Sequence, residues 1–74
     1  MRLGLGMLIA ETEDGTYQPI GVVESIEEAK EMASANMAAR IRELEKGGSP
    51  MSVYCFKVWA NSTNGYRVVA EIPA

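Results

Sequence analysis

The chain has 74 residues, one cysteine, no histidine and a net charge of −3 at neutral pH. It therefore has neither an internal disulfide nor the usual ligands of a zinc site, and its acidity argues against general binding to nucleic acid, which uses many Lys and Arg contacts to phosphate. A single domain of this size buries only about 60% of its extended surface, so we expect a second copy of the chain to add stability.

The first predicted element is a strand over residues 3–12. This apolar run is far shorter than the roughly 20 residues of a membrane span, and ETEDG follows it in place of the small-residue pattern of a cleaved export signal. We therefore expect a cytoplasmic protein with no membrane partner. Glu13-Asp14-Gly15 predicts a turn, and residues 16–23 predict a second strand. That strand should lie at a sheet edge, because Pro19 lacks the N–H that an inner strand needs.

A helix is predicted over residues 25–46. Ser25 and Glu28 form a capping box at its start, and Gly47-Gly48 supplies its end. Acidic residues collect near the start and basic residues near the end, as the helix dipole favours. One stripe of the helix is apolar and should face the sheet; it comprises Ile26, Ala29, Ala33, Met37, Ile41 and Leu44.

The other side of this helix carries no charge between Met32 and Ala39. A helix surrounded by water normally has charged residues there. Alanine is the best helix former, and propensity alone is one explanation. The other explanation is a second packing surface, in which Met32, Ala35 and Ala39 let the helix of a second copy approach closely.

The last two strands are predicted to form a hairpin around Thr63-Asn64-Gly65. A three-residue loop with glycine in the left-handed position pairs residues whose numbers add to 128. Under the helix this register places Phe56 opposite Ile72, Val58 opposite Ala70 and Ala60 opposite Val68, on one face with Tyr54 and Tyr66. On the reverse face it places Lys57 opposite Glu71 and Trp59 opposite Val69, together with Cys55, Arg67, Met51 and Val53.

The reverse face is predicted to be an interaction surface. It mixes apolar side chains with an opposite-charge pair, a composition typical of a partly covered surface rather than of one in open water. We expect Arg67 to make a cation–π contact with Trp59. Trp59, Arg67 and Val69 are therefore predicted interaction residues on the sheet.

These elements predict one α+β domain over residues 1–74. The topology is ββαββ, with a four-stranded antiparallel sheet in the order 2-1-3-4 and one helix packed on one face, because the crossover should be right-handed and the two most apolar strands central. A helix is roughly 10 Å wide and four strands about 19 Å, so one helix cannot cover the face. We expect the helix of a second copy to cover the rest of the face, since symmetric dimers are the commonest oligomers.

Three groups of residues could carry chemistry, and each has a simpler interpretation. Cys55 lies in mid-strand without a histidine to activate it, which is typical of a small packed residue. The glutamates in residues 27–31 could bind a divalent cation, but carboxylates in the first helical turns are commonly partners of the dipole. Sheet aromatics can stack single-stranded nucleic acid, but Trp59 with Arg67 and Lys57 is too small a cluster for that. We predict no catalytic, cofactor-binding or metal-binding residues.

One stretch is similar to the start of small HicB-type antitoxin domains. It covers roughly residues 8–32 and consists of EDGTY, a short strand and SIEEAKEM, so that an acidic turn precedes a helix rich in glutamate and alanine. Those domains commonly carry a Gly-Cys segment before the helix, where this chain has Gly21-Val22-Val23. The resemblance implies, as an alternative, an antitoxin or a phage-type inhibitor.

The sequence as a whole predicts a small acidic, non-enzymatic interaction module, a homodimer that regulates or inhibits another protein. The alternative of a different class is a small-ligand or catalytic site formed where two copies meet and lined by Cys55, Trp59 or Tyr66. A deep pocket with polar groups would favour that alternative, whereas a flat sheet face around Trp59 favours the interaction module.

Overall fold

A computed structural model describes residues 6–62 and 65–74 of the chain. Their elements are β1 (Gly6–Thr12), β2 (Tyr17–Val23), α1 (Ile26–Glu45), β3 (Val53–Ser62) and β4 (Gly65–Pro73). The strands form one antiparallel sheet in the order β2-β1-β3-β4, which confirms the predicted ββαββ fold and its strand order. The start of the predicted strand over residues 3–12, and Thr63 and Asn64 of the predicted loop, lie outside the described residues.

Helix α1 begins and ends within one residue of its predicted limits. The Ser25 hydroxyl accepts a hydrogen bond from the Glu28 backbone N–H at 3.1 Å, which is the predicted N-cap. At the other end Gly47 has a φ of +89°, the left-handed conformation in which glycine is favoured. The Gly48 N–H then donates to the Glu43 carbonyl at 2.9 Å and closes the last turn.

The hydrophobic core lies between α1 and one face of the sheet. Its buried members are Leu8, Ala10, Val23, Ala29, Ala33, Val53, Phe56 and Val58. The predicted apolar stripe of α1 is buried only in its first half, because Ile41 is 54% exposed and Leu44 is 59% exposed. Beside this second half a groove of about 330 Å³ remains open between α1 and β4. The helix is narrower than the sheet, as the predicted widths imply, and part of the core face stays uncovered.

Three β-bulges decide which side chains face the core. The registers skip Ile20 in β2, Tyr54 in β3 and Val69 in β4, so that each strand contains one residue more than its partner at that point. A bulge interrupts the strict alternation of a strand, and residues on its two sides no longer follow one period-two pattern.

The bulge at Val69 makes the predicted hairpin register half right. Pairs that add to 128 are confirmed away from the turn: Phe56 with Ile72, Lys57 with Glu71 and Val58 with Ala70. Nearer the turn the prediction is wrong, because Trp59 pairs with Val68 and Ala60 pairs with Arg67.

The bulges also correct several predicted faces. Tyr54 is 67% exposed and Tyr66 is 73% exposed, so neither lies under the helix. The extra residue at Tyr54 turns Val53 into the core instead. Val69 likewise packs against the core rather than on the reverse face. Arg67 lies opposite the buried Ala60, on the helix side of the sheet.

Met32 is a further correction on α1. It was predicted on the side of the helix that faces away from the core, but it is partly buried and packs against the core cluster. Its terminal methyl lies above β2, where a Cβ at Gly21 would come within 2.6 Å of the Met32 Cε. Gly21 thus leaves room for a long flexible side chain. The side chain of Met32 extends from α1 over β2 and covers this part of the sheet.

Arg40 connects three separate parts of the fold. Its Nε donates to Asn36 Oδ1 at 2.7 Å, its Nη2 donates to Gln18 Oε1 at 2.7 Å and its Nη1 donates to the Met51 carbonyl at 2.8 Å. These bonds join α1 to β2 and to the segment that precedes β3. The planar guanidinium can serve several acceptors in fixed directions, which an ammonium group cannot.

The predicted turn at residues 13–15 is confirmed and held by side chains. Asp14 Oδ1 accepts hydrogen bonds from the Thr16 N–H at 3.1 Å, from the Thr16 hydroxyl at 2.8 Å and from the Thr12 hydroxyl. Gly15 has a φ of +87°. The hydroxyl bonds from Thr12 and Thr16 hold the pKa of Asp14 below its ordinary 3.8, so the carboxylate form is favoured.

Candidate interaction surface

The side of the sheet that faces away from α1 is the candidate site, and we call it the open sheet face. Its members follow from the strand registers, since paired residues share a face. They are Tyr17, Pro19 and Val22 of β2; Met7, Ile9 and Glu11 of β1; Cys55, Lys57, Trp59 and Asn61 of β3; and Tyr66, Val68, Glu71 and Pro73 of β4.

One end of the open sheet face is apolar. Met7 of β1 lies between Val22 and Trp59, and Trp59 lies beside Val68. Val22, Val68 and Tyr66 are all exposed. Aromatic residues and methionine are enriched at protein interfaces, and a contiguous exposed patch of this kind is typical of a binding surface.

A shallow hollow lies in this apolar end. It has a volume of about 360 Å³ and is lined by Met7, Ile9, Trp59 and Tyr66. Trp59 is half-buried, and its Nε1 is enclosed with no hydrogen-bond partner among the residues the structure describes. A buried donor without an acceptor costs about 1–3 kcal/mol. Natural proteins tend to retain unfavourable features such as an unpaired buried donor at functional sites, where the feature serves binding or chemistry.

The other end of the open sheet face is charged. Lys57 Nζ lies 2.9 Å from Glu11 Oε2, and Cys55 Sγ donates to the same oxygen at 3.4 Å. Glu71 of β4 is the cross-strand neighbour of Lys57, as predicted. The salt bridge of Lys57, however, is made with Glu11 of β1, the strand on the other side of β3. Glu11 shares the face of Lys57 because it follows Ile9, the cross-strand partner of Lys57, by two residues. The sequence alone carries no signal for this contact, since the register of β1 against β3 depends on residues far apart in the chain.

The contacts shift three pKa values. The hydrogen bond from Lys57 lowers the pKa of Glu11 below 4.5, and the same bond raises the pKa of Lys57 above 10.5. Burial raises the pKa of the Cys55 thiol above 9.0, and the bond to Glu11 adds to that rise. The thiol is therefore protonated at neutral pH, and it serves here as a hydrogen-bond donor.

Acid should weaken the fold through Glu11. Because its folded-state pKa lies below 4.5, the carboxylate stabilises the fold above that pH, and the stabilisation is lost as the pH falls through the folded-state value. We expect Glu11→Gln to be less stable than the wild type at neutral pH but to lose less further stability between about pH 5 and pH 3. Urea melts at stepped pH values measure the difference.

Asp14 contributes a background acid sensitivity to this experiment. Its lowered pKa acts in the same direction, and it is present in both proteins. Some acid sensitivity should therefore persist in Glu11→Gln. Parallel stability curves for the wild type and the variant would contradict a role for Glu11.

The predicted interaction residues do not all lie together. Trp59 is on the open sheet face, but Val69 and Arg67 are not, so the expected cation–π contact between Arg67 and Trp59 is wrong. Ala35 and Ala39 are exposed on α1, on the far side of the molecule from this face. Sequence reasoning missed most of the apolar and aromatic members of the face, namely Met7, Ile9, Tyr17, Val22, Tyr66 and Val68.

Comparisons with known proteins add no family to this geometry. No family model, no curated protein and no solved structure matches the chain. Within residues 6–62 and 65–74, no helix is both long and apolar enough to cross a membrane. Across those same residues, no group of three or more Cys, Asp or Glu side chains is arranged to hold a metal ion.

Proposed function

We propose that this protein is a non-enzymatic interaction module that binds another protein through the open sheet face. The observation that carries the proposal is the exposed apolar end of that face, where Trp59 and Tyr66 lie beside Met7 and Val68. Aromatic side chains dominate the binding energy of many interfaces. Binding of this kind would regulate or inhibit the partner protein.

The area of the face suits a small but specific interface. Four strands are about 19 Å across, and strands of seven to ten residues are about 23–33 Å long, which gives a flat area of roughly 500 Å². Standard protein interfaces bury about 800 Å² on each partner. The estimate counts no side-chain relief, so the true contact area would be larger.

The charges on the face indicate the chemistry of the partner. Lys57 is neutralised by Glu11, whereas Glu71 adds a further negative charge at the same end. A partner that matches both ends would place apolar side chains on Trp59 and Tyr66 and a Lys or Arg near Glu71. Electrostatic matching of this kind favours the correct partner and its orientation.

A small-molecule site receives less support from the same geometry. The hollow at Trp59 is wide and shallow, and its four lining residues are apolar or aromatic with no charged group among them. Ligand pockets usually enclose their ligand and add a few converging polar groups. An antitoxin or phage-type inhibitor, which the resemblance over residues 8–32 implies, would be one form of the proposed protein-binding function.

Two exposed tyrosines provide a matched test. Tyr66 lies on the open sheet face beside Trp59, whereas Tyr54 is comparably exposed but lies at a bulge outside the apolar end. We expect a host protein to be retained by immobilised wild type and Tyr54→Ser but lost with Tyr66→Ser. Calorimetric titration of that purified protein should then show binding to Tyr54→Ser at least about tenfold tighter than to Tyr66→Ser. Equal retention by both variants would contradict the proposal.

A further inference from the structure

We propose that the element bound by the open sheet face is an amphipathic α-helix of the partner protein, laid diagonally across the strands with basic residues along one border. This inference rests on the proposed function, because it names the kind of element that the same surface binds. The observation that carries it is the arrangement of the apolar side chains, which run without interruption from Tyr17 on β2 to Tyr66 on β4.

The strand registers define the path of these side chains, which we call the diagonal band. Residues that pair across neighbouring strands form rows on one face, and successive rows are two residues apart along each strand. The band begins in the row of Tyr17, crosses the next two rows and ends in the row of Tyr66. Its members are Tyr17, Pro19, Ile9, Val22, Met7, Trp59, Val68 and Tyr66.

The dimensions of the diagonal band match those of one helix. The band crosses three strand spacings of about 4.8 Å, and on β3 it runs from the row of Cys55 to the row of Asn61 at about 3.3 Å per residue. These distances give a length of roughly 25 Å, which a helix of about 16 residues spans at 1.5 Å per residue. An amphipathic helix presents one apolar stripe along its length, as the band requires.

Hydrogen bonding favours a helix over an extended segment on this face. The N–H and C=O groups of antiparallel strands point along the sheet, towards neighbouring strands, so they cannot bond to a chain that lies on top of them. An extended segment would therefore bury its own backbone polar groups against apolar side chains without partners, which is unfavourable. A helix satisfies most of these groups internally.

The position of the charges favours a helix over a second sheet. Glu11, Lys57 and Glu71 all lie on the same side of the diagonal band. A sheet packed face to face would cover them together with the band and would remove their charges from water, which is costly for a group without a partner. Glu71 makes no salt bridge within residues 6–62 and 65–74. A helix over the band would leave all three charges at its border, in contact with water.

The same charges indicate the chemistry of the helix border. Two acids and one base give this side of the face a net charge of −1. Lys57 is the one cation that the registers place on the face among the described residues, and Glu11 neutralises it, whereas Arg67 lies on the helix side of the sheet. Lys or Arg residues along the adjacent border of the docked helix would match Glu71.

Two shallow hollows in the diagonal band would accept side chains of the helix. One has a volume of about 360 Å³ and is lined by Met7, Ile9, Trp59 and Tyr66. The other has a volume of about 170 Å³ and is lined by Gly6, Met7, Val22, Trp59 and Tyr66. Because the hollows share three lining residues they are neighbours, and large apolar side chains one helical turn apart would fill both.

A display library of random 20-residue peptides provides the test, selected on the immobilised wild type and counter-selected on Tyr66→Ser. We expect the enriched peptides to carry large apolar residues at intervals of three and four, with Lys or Arg along one border of that stripe. Synthetic copies without tryptophan should gain helical circular dichroism on binding and shift the emission of Trp59, the only tryptophan of the chain, to the blue. No enrichment, or enriched peptides with an alternating or proline-rich pattern, would overturn the proposal.

Charge reversal at Glu71 tests the border of the helix. Glu71→Lys should weaken binding of the synthetic peptide at low salt by about fivefold or more, and a peptide with glutamate in place of its basic residues should bind this variant better than it binds the wild type. Glu31→Lys makes the same change of charge at an exposed position of α1, away from the face, and should bind as the wild type does. Equal binding by Glu71→Lys and the wild type would contradict the basic border.

The outcomes separate this inference from the proposed function. If Tyr66→Ser loses the host protein but no helical peptide is enriched, the face binds a protein through another kind of element, and this inference alone fails. If neither the host protein nor any peptide distinguishes Tyr66→Ser from Tyr54→Ser, both fail.

Discussion

Phe56→Ala should lower the free energy of unfolding by roughly 3–5 kcal/mol, the usual cost of truncating a large core aromatic residue. Phe56 is 1% exposed and lies between Ala10 of β1 and Ile72 of β4. Its removal would leave a cavity at the centre of the sheet that small neighbours cannot fill. Because small domains have only about 5–15 kcal/mol of stability, we expect the variant to be close to unfolding at 37 °C.

Tyr54→Ala is the control for that prediction. The two residues are separated by one position, so a strand with strict alternation would bury both under α1. The bulge at Tyr54 leaves its ring exposed, and we expect its removal to cost at most about 1 kcal/mol. Urea melts followed by circular dichroism measure both costs. Equal losses would show that the bulge is absent in solution.

Arg40→Ala should cost about 2 kcal/mol through loss of its three hydrogen bonds. The bonds are charge-assisted and short, but the group is partly exposed, so water replaces part of what is lost. The acceptors belong to α1, β2 and the segment before β3. We therefore expect the variant to open first where the second half of α1 lies against the sheet, which hydrogen exchange would detect as faster exchange in residues 40–46.

Lys30→Ala is the matched control for Arg40. It also removes a cation from α1, but Lys30 is exposed, and we expect a change within about 0.5 kcal/mol. Arg40→Lys tests the geometry of the fork rather than its charge, because an ammonium cannot reach all three acceptors. A lysine variant as stable as the wild type would show that charge alone is important at this position.

The helix and the strand order could be predicted because their signals are local or topological. Ser25 and Gly47 mark the ends of α1 through interactions with the nearest turns, and Pro19 confines β2 to an edge. The right-handed crossover then leaves few arrangements of four strands. These features depend on a few residues close together in the chain.

The bulges could not be predicted because they depend on distant partners. Nothing in the residues around Tyr54 or Val69 distinguishes them from those of a regular strand. Their positions follow from packing across the sheet, where Val53 and Val69 fill space beneath α1. One skipped residue moved Tyr66 from the predicted core to the open sheet face. The candidate site was therefore only partly visible in the sequence, with Trp59 placed correctly and most of its neighbours missed.

Both edges of the sheet are built against the addition of further strands. The edge strand β2 contains Pro19 and the bulge at Ile20, and the edge strand β4 contains the bulge at Val69 and ends at Pro73. Prolines and bulges interrupt the regular row of N–H and C=O groups that an incoming strand would use as a template. The chain is thereby protected from edge-to-edge aggregation into extended sheets, although it exposes apolar surface.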